Sequence, residues 1–437
     1  MNVQPRRWML ATALLAVVLV ASPALADPPT RAARVSYLKG QVSFQPASAD
    51  DWIDATLNDP LSSGDRLWTD AAAWAELRIG SAAVRLAPAT MFEFLNLDDE
   101  TIQIRLAEGA LDIRLRNLAE GETFEIDTPE SAVVLTEPGT YRVDVLPGGA
   151  SARVTVRVGA ALVTSDAAEF WVQEGETAAV YEPGGAAHET FRAPAPDDWE
   201  RWCRARDARE DGAESLRYVP EEMTGYEDLD EYGTWSSLPD YGWAWQPTVE
   251  ADWAPYRFGH WRWVGPWGWT WIGDEPWGFA PFHYGRWACV RGRWWWVPGT
   301  HRGRPHYAPA LVAFVGGEHW GVSAGIRLTD LLGWFPLGPG EPWIPPYRAT
   351  HAHIRRLNLG SVRVGDYDFT RYDFTRGVHV NRGVPGALTA VRRDVILGGR
   401  RIGRDVVNVD ARAAMRSPVV GTSVPFAPSA ESILGQR

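Results

Sequence analysis

Residues 259–273 read Gly-His-Trp-Arg-Trp-Val-Gly-Pro-Trp-Gly-Trp-Thr-Trp-Ile-Gly and hold five tryptophans, all at odd-numbered positions. On a β-strand, a spacing of two residues places successive side chains on one face. The stretch therefore predicts short strands with a wall of indole on one side. Tryptophan is also dense around it, at positions 235, 243, 245, 253, 277, 287, 294, 295 and 296. Such a wall is either the core of a small module or a stacking surface for a flat ligand.

An internal repeat organises this region. Residues 254–261, Ala-Pro-Tyr-Arg-Phe-Gly-His-Trp, align with residues 280–287, Ala-Pro-Phe-His-Tyr-Gly-Arg-Trp, at a distance of 26 residues. That length suits a β-hairpin and a connection. Residues 241–245 and 266–271 look like further copies of one strand. We therefore predict a Trp-rich β-hairpin repeat module over residues 232–300.

The indoles of this module have a structural and a functional interpretation. In the structural interpretation the indoles form the core, because a module of about 70 residues has few other side chains large enough to build one. Arg side chains would then stack on the indoles as cation–π partners. Exposed indoles would instead stack on sugar rings. Because three consecutive side chains must point to both faces of a strand, residues 294–296 should turn at least one indole outward. The tentative ligand-binding residues are Trp267, Trp269, Trp271, Trp294, Trp295, Trp296, Arg291 and Arg293.

Residues 34–182 show strand patterns throughout. Residues 102–106, Ile-Gln-Ile-Arg-Leu, and 111–115, Leu-Asp-Ile-Arg-Leu, alternate apolar and polar side chains around a Glu-Gly turn. Turn signals recur along the rest of the segment, and no strand alternates with a helix. This pattern favours an antiparallel β-sandwich or a barrel-like domain.

The first 26 residues are typical of an export signal. Arg6 and Arg7 precede an apolar run at 8–21, and Ala24-Leu-Ala26 is a small-x-small cleavage site. The alternative is an uncleaved anchor, although the run is short for a bilayer span of about 20 residues. We expect a periplasmic or secreted protein without a transmembrane segment after signal cleavage.

Residues 183–231 are predicted to be an acidic linker with a short helix that Asp197 or Asp198 caps. Ten carboxylates crowd residues 207–231, which indicates a solvated linker or, alternatively, a cation site at residues 227–231. Residues 301–400 are predicted to be an irregular β/loop extension, and residues 401–437 a mobile tail.

Charge and cysteine content narrow the function classes. The net charge of −12 makes nucleic-acid binding a poor fit for an exported chain. Cys203 and Cys289 are the only cysteines, and they are either a disulfide or two separate thiols. The predicted fold class is mostly β, with a β-sandwich or barrel-like domain, a helical connector, the Trp-rich module and an irregular C-terminal region.

Three patterns could indicate catalysis or metal binding, and each lacks its context. Residues 321–325 match the G-x-S-x-G motif around Ser323, but no strand–turn–helix framework of a hydrolase surrounds them. His351 and His353 could share a strand face as metal ligands, without further ligands nearby. Asp274 and Glu275 suit a turn better than a glycosidase pair. We therefore predict no enzyme activity, no metal and no cofactor.

Two family resemblances follow from ordered motifs. Residues 60–69, Pro-Leu-Ser-Ser-Gly-Asp-Arg-Leu-Trp-Thr, and residues 75–80, Ala-Glu-Leu-Arg-Ile-Gly, resemble the FecR-type periplasmic domain. Further motifs of that series occur at residues 84–86, 106–111, 124–129 and 139–143. Residues 232–300 are similar to an uncharacterised bacterial envelope family with Tyr-x-Trp-Gly-x-Trp repeats. Residues 308–317 and 333–343 also resemble that family, so the resemblances together run from residue 34 to about residue 400.

The resemblance implies a domain organisation and a location in the cell envelope, and it implies no activity. FecR-type domains belong to envelope sensors that relay iron–siderophore signals through a cytoplasmic segment and a membrane span, and we expect neither here. We therefore predict a non-enzymatic cell-envelope binding or scaffold protein whose partner is a cell-wall or exported polysaccharide, or an envelope protein. The alternative is a component of a FecR-like surface-signalling system without its own transducing segment. The third interpretation is a hydrolase acting on esters or glycans.

Overall fold

The computed structural model describes residues 27–149, 151–181, 187–300, 303–316 and 330–435. The predicted export signal at residues 1–26 and the G-x-S-x-G motif at 321–325 lie outside the described residues. Within the described ranges the chain is mostly β, with antiparallel sheets and a short helical connector, as the sequence predicts.

The N-terminal domain is an open β-sandwich built on one core. Its strands are β1 (Ala33–Lys39), β2 (Val42–Gln45), β3 (Ile53–Asp54), β4 (Pro60–Leu61), β5 (Arg66–Thr69), β6 (Trp74–Ile79), β7 (Ala82–Leu86), β8 (Thr90–Leu97), β9 (Thr101–Leu115), β10 (Thr123–Asp127), β11 (Ala132–Leu135), β12 (Gly139–Val145), β13 (Ser151–Val158), β14 (Ala161–Thr164), β15 (Glu169–Val172), β16 (Glu176–Tyr181) and β17 (Ala187–Arg192).

Strand β9 joins the two sheets of the sandwich, because its first half pairs with β8 and β10 and its second half with β7 and β12. The first sheet runs β4-β1-β6-β7-β9-β12-β13-β16-β17 and the second β3-β2-β5-β8-β9-β10-β11-β14-β15. One pair departs from the predicted antiparallel arrangement: β10 runs parallel to β9, with Phe124 opposite Ile102. Alternating residues such as Phe124 and Ile126 fill the core between the sheets.

The connector begins with helix α1 (Asp198–Asp211), and Asp197 caps it by accepting a hydrogen bond from the backbone N–H of Glu200 at 2.8 Å. Two 3-10 turns (Glu214–Arg217 and Tyr226–Asp228) and helix α2 (Leu229–Tyr232) complete it. The buried side of α1 lies against the first sheet of the sandwich. There Trp202 contacts Trp74, with ring centroids 5.0 Å apart.

The carboxylates of the connector correct the prediction of a solvated linker, because several of them are buried against arginines of the sandwich. Glu210 contacts Arg78 at 2.8 Å, and Glu227 contacts the same guanidinium at 3.4 Å. Arg34 lies 3.0 Å from Glu227 and 2.7 Å from Asp228. Part of the acidic stretch thus neutralises arginines of the sandwich, while other carboxylates such as Glu214 and Glu231 are exposed to water.

Arg85 continues this buried network deeper under α1. Its guanidinium contacts Glu76 at 2.7 Å and Asp207 at 2.8 Å. Arg206 adds two further hydrogen bonds to Glu76, both of 2.7 Å. Asp112 lies 3.6 Å from Arg85, and among the described residues its buried carboxyl has only the weak donor of the Cys203 thiol beside it. The network therefore contains one carboxyl that is poorly compensated.

Asp112→Asn should change how stability depends on pH. Burial raises the pKa of Asp112 to about 7; the nearby Asp207 adds to the increase and Arg85 opposes it. Between about pH 4 and pH 7 the folded chain therefore keeps a proton that the unfolded chain releases, so the wild type loses stability as pH rises through this window. The penalty is absent below about pH 4 and complete above about pH 7.

The asparagine has no proton to lose, so its stability relative to the wild type should rise across this window. At about 1.4 kcal/mol per pKa unit, the difference in unfolding free energy should grow by up to about 4 kcal/mol. Urea denaturation at about pH 4 and about pH 8 measures it, with the exposed Asp166→Asn as the control. If the difference in unfolding free energy stays constant with pH, the ionised Asp112 does not destabilise the folded chain as we expect.

The C-terminal half consists of three small sheets and short helices around a second core. Its elements are β18 (Gly233–Leu238), β19 (Gly242–Pro247), β20 (Gly259–Val264), β21 (Gly268–Gly273), α3 (Phe279–His283), β22 (Arg286–Val290), β23 (Arg293–Val297), β24 (Val312–Gly316), β25 (Leu331–Pro336), α4 (His351–Asn358), β26 (Thr389–Arg392), α5 (Arg393–Leu397), α6 (Ala411–Arg416), β27 (Val419–Gly421) and α7 (Ala430–Leu434). Short 3-10 turns occur at Val364–Asp366, Phe374–Arg376 and Val380–Gly383. The sheets are β18-β19-β23-β22, β20-β21 and β26-β25-β24-β27.

The predicted two-copy repeat has three copies in the structure. Each copy is a hairpin that begins at a Gly-x-Trp sequence, at residues 233, 259 and 285, again 26 residues apart. In each hairpin the first tryptophan faces one on the second strand: Trp235 opposite Trp245, Trp261 opposite Trp271, and Trp287 opposite Trp296. The tryptophan spacing thus fixes both the register and the buried face.

The glycine that begins each copy lets the two strands of the hairpin approach closely, and Gly285→Ala tests this role. A Cβ at Gly285 would lie 2.4 Å from the backbone oxygen of Val297, and its φ of +65° disfavours a side chain. Gly292 has a similar φ of +75°, but a Cβ there meets nothing within 4 Å. Both alanines should cost about 1–2 kcal/mol through φ, and Gly285→Ala should cost more because the strands must separate. Denaturant midpoints that fall equally would contradict this assignment.

The Trp-rich segment shares its core with the residues that follow it. Trp261 contacts Phe314 and Trp334, with ring centroids 5.1 Å and 5.5 Å apart. The predicted extension at 301–400 therefore completes the core of the module, through β24 and β25. We predicted a mobile tail at 401–437, and its motion stays a prediction, but β27 pairs with β24 and the indole of Trp269 donates to Phe426 O at 3.1 Å.

Candidate functional site: an aromatic cleft

The burial of the indoles corrects most of the tentative binding residues. Trp267, Trp269 and Trp271 lie in the core, as do Trp294 and Trp296. Their ring faces pack against other side chains, as in the Trp261–Trp271 pair at 5.4 Å. A ligand cannot stack on rings in this position. These five indoles therefore serve as core, which is the structural interpretation of the wall.

Trp295 takes the outward direction that the consecutive tryptophans require. It lies half-buried on the face of β23 opposite Trp294 and Trp296, beside Ala244 and Ala288. The tentative Arg291 and Arg293 are exposed at the turn before it. Whether this group binds a ligand stays a prediction.

Two further arginines of the module, Arg262 and Arg286, also depart from the expected stacking on indoles. Arg262 forms an ion pair with Asp59 of the sandwich at 2.9 Å and lies over the ring of Phe44. Arg286 donates to the backbone oxygen of Glu341 at 2.9 Å. Both therefore join segments of the fold instead of covering the Trp wall.

A cleft of about 890 Å³ opens where the first hairpin meets the connector. We call it the aromatic cleft. Its lining residues are 216–220, 240–243, 297–300, 339–340 and 360–363. The volume falls within the range of about 300–1,000 Å³ that small-molecule sites occupy.

Tyr218 and Trp243 line one wall of the aromatic cleft, and Trp235 lies against Tyr218 outside the lining, so that the three rings form one stack in which the Tyr218–Trp243 pair is tilted by 44°. Tyr218 lies 4.6 Å from Trp235 at an interplanar angle of 26°, and 4.8 Å from Trp243. The indole N–H of Trp235 donates to the hydroxyl of Ser215 at 2.9 Å, which fixes the base of the stack. Trp243 is 51% exposed and Tyr241 beside it 38%. The stack therefore presents ring faces to solvent from a supported position.

Hairpin geometry places these rings at the mouth of the cleft. Tyr241 lies in the turn between β18 and β19, and Trp243 is the second residue of β19, beyond the core that Trp245 occupies. The opposite wall is held by close backbone contact, because the N–H of Thr300 donates to Gly360 O at 3.0 Å. A Cβ at Gly299 would lie 2.4 Å from that same oxygen.

Polar groups of both charges accompany the rings. Arg217, Asp240 and Arg363 line the cleft, together with the hydroxyl side chains of Thr300 and Ser361. Aromatic faces beside hydrogen-bonding groups can hold a ring that has apolar faces and a polar edge. The sequence placed Trp243 in a strand copy but gave no sign that Tyr218, from the connector, would stack on it.

The residues considered for catalysis lie apart from this cleft. Glu275 accepts a hydrogen bond from the indole of Trp253 at 2.7 Å, and burial raises its pKa to about 7. Asp274 pairs with Arg401 at 3.3 Å. His351 and His353 lie on helix α4 instead of the expected strand, and burial lowers the pKa of His353. Across the ranges that the structure describes, no group of three or more His, Cys, Asp or Glu side chains is placed to hold a metal ion.

Cys203 and Cys289 are both free thiols in the structure. Cys203 is buried under α1, and this burial raises the pKa of its thiol. None of the helices in the described ranges has the length and apolar character that a membrane crossing requires.

Comparisons with known proteins found similar solved structures and one family model. Two crystal structures of a "putative anti-sigma factor" from Parabacteroides distasonis ATCC 8503 are similar to it at 16% and 15% identity, each with a TM-score of 0.27. Each similarity covers 30% of this chain and spans 60% of the other chain. No curated protein matches. The resemblance of residues 34–182 to the FecR-type domain therefore stays a prediction.

A family model matches residues 226–341, which begin in the connector and include all three hairpins. The match extends past the predicted module boundary at residue 300 and covers β24 and β25, whose side chains complete the core around Trp261. The prediction of an uncharacterised family for the Trp-rich segment is thereby confirmed. Residues 226–341 are thus similar to the "Family of unknown function (DUF6600)".

Proposed function

We propose that this protein is a non-enzymatic binding or scaffold protein of the cell envelope that recognises a polysaccharide through its aromatic cleft. The observation that carries the proposal is the supported, half-exposed indole of Trp243 at the mouth of a cleft of about 890 Å³. A cell-wall or exported polysaccharide offers rings with an apolar face and hydroxyl edges, which suit this arrangement.

The energetics favour a ligand on this surface. The fold buries other indoles of the same sheet, including Trp245 and Trp296. Leaving the stack of Tyr218 and Trp243 in contact with water forgoes apolar burial worth about 25 cal/mol per Å². An exposed aromatic patch with a polar rim is typical of an interaction site.

The expected cellular location supports the same proposal. The predicted export signal would deliver the chain to the periplasm or the exterior, where peptidoglycan and exported polysaccharides occur. The mixed charges of Arg217, Asp240 and Arg363 suit a ligand that carries hydroxyl, carboxyl or amino groups.

Trp243→Ala should weaken binding to insoluble peptidoglycan or exported polysaccharide by at least about tenfold, or about 1.4 kcal/mol, because it removes the central ring face. Co-sedimentation of the full chain measures this effect. Trp171→Ala is the matched control, since Trp171 is equally exposed, at 53%, on β15 of the sandwich. The proposal fails if the wild type does not sediment with any glycan and an envelope protein is recovered with the wild type instead. It also fails if both variants bind the glycan as strongly as the wild type does.

A further inference from the structure

A second cavity, of about 460 Å³, lies beside the β24–β25 pair and shares no lining residue with the aromatic cleft. Its walls are largely aliphatic and aromatic. They include Val315, Phe335, Val384, Leu388, Val407 and Met415. Apolar walls of this kind suit a hydrocarbon chain or ring.

Two arginines also line this cavity, and their hydrogen-bond partners are neutral. Arg257 donates to the backbone oxygens of Asp252, at 3.2 Å, and Leu388, at 3.3 Å. Arg382 donates to the backbone oxygens of Ala414 and Ser417. Within the described part of the chain, no carboxylate lies within ion-pair distance of either guanidinium. The buried arginines at the junction of sandwich and connector are paired with carboxylates, as with Arg78 and Glu210.

The charge of these two groups is therefore incompletely compensated. The Nε atom of Arg382 is buried and has no hydrogen-bond partner among the described residues. Burial lowers the pKa of Arg257, against the opposing effect of Asp252, and it lowers the pKa of Arg382. Backbone carbonyls satisfy N–H groups but bring no net negative charge. An anion entering the cavity would supply the missing negative charge.

We propose that this cavity binds a free fatty acid, with its carboxylate at Arg257 and Arg382 and its chain along the apolar walls. Guanidinium groups pair with carboxylates through charge-assisted hydrogen bonds. The volume suits an amphiphile with one chain better than a two-chain lipid. This site is separate from the aromatic cleft and does not depend on glycan binding.

Calorimetric titration of the full chain with dodecanoate, below its micelle concentration, tests the proposal. We expect saturable binding that weakens about tenfold or more in Arg257→Gln and in Arg382→Gln. Dodecyl maltoside, with the same chain but a neutral head, and acetate, without a chain, should bind at least about tenfold more weakly than dodecanoate. Arg376→Gln is the control, because its side chain is 87% exposed and lies outside the cavity lining.

A further variant keeps the test decisive if an arginine variant does not fold. Met415 lines the cavity and is 53% exposed, so Met415→Ser should preserve the fold while weakening dodecanoate binding. Equal affinity for dodecanoate and the maltoside would overturn the proposal. So would unchanged affinity in both arginine variants or in Met415→Ser, or binding to phosphatidylglycerol vesicles without binding of dodecanoate.

Discussion

Arg78→Met should lower the free energy of unfolding by about 3–5 kcal/mol, the usual cost of removing one partner of a buried ion pair. The side chain of Arg78 is 1% exposed, and it contacts Glu210 at 2.8 Å and Glu227 at 3.4 Å. Methionine fills part of the space, but Glu210 and Glu227 each lose one of their buried guanidinium partners. Guanidinium chloride denaturation of the full chain measures the loss.

Arg66→Met is the matched control for this experiment. Arg66 lies on the same sandwich and contacts Glu93 at 3.3 Å, but its side chain is half exposed. Exposed ion pairs contribute about 0–1 kcal/mol, so this variant should unfold almost like the wild type. Losses of similar size in Arg78→Met and Arg66→Met would show that the buried network does not stabilise the junction of sandwich and connector.

Trp271→Ala should cost about 3–5 kcal/mol, the range for removing a large aromatic side chain from a core. Trp271 is fully buried and contacts Tyr256, Trp261 and Trp334, with ring centroids 5.9 Å, 5.4 Å and 6.2 Å away. The cavity left by the indole would lie among rigid rings, which cannot close around it. Thermal and chemical unfolding of the full chain measure the effect.

Trp243→Ala provides the comparison within the same Trp-rich segment. Its indole lies outside the core, so its loss should cost no more than about 1 kcal/mol. The two variants thus separate the stabilising indoles from the ligand-facing one. If Trp243→Ala destabilised the chain as much as Trp271→Ala, the stack with Tyr218 would be part of the core and unsuitable as a recognition surface.

Patterns of neighbouring residues predicted the strands and helix ends that depend on neighbouring residues alone. The two-residue spacing of tryptophan gave the strands and their buried face, since alternation fixes which side chains share a face. The start of α1 followed from the capping carboxylate of Asp197. The sequence did not predict the copy that begins at residue 233, because residues 233–235, Gly-Thr-Trp, share only the glycine and the tryptophan with the later copies.

Features that depend on distant contacts could not be predicted in this way. The acidic stretch of the connector is typical of a solvated linker, and only the folded sandwich brings Arg78 against Glu210 and Glu227. The aromatic cleft likewise combines Trp243 with Tyr218 from the connector and a wall at residues 360–363. Its position depends on how three separate segments meet, which no spacing along the chain records.

The aromatic cleft is tested most directly by calorimetric titration of the full chain with solubilised peptidoglycan fragments and soluble polysaccharides. The wild type, Trp243→Ala and Trp295→Ala are compared, because Trp295 is the outward indole of the consecutive tryptophans. We expect saturable binding of one glycan class by the wild type and by Trp295→Ala, and at least about tenfold weaker binding by Trp243→Ala. Binding that survives in Trp243→Ala but is lost in Trp295→Ala, or no binding by the wild type, would contradict recognition at the cleft.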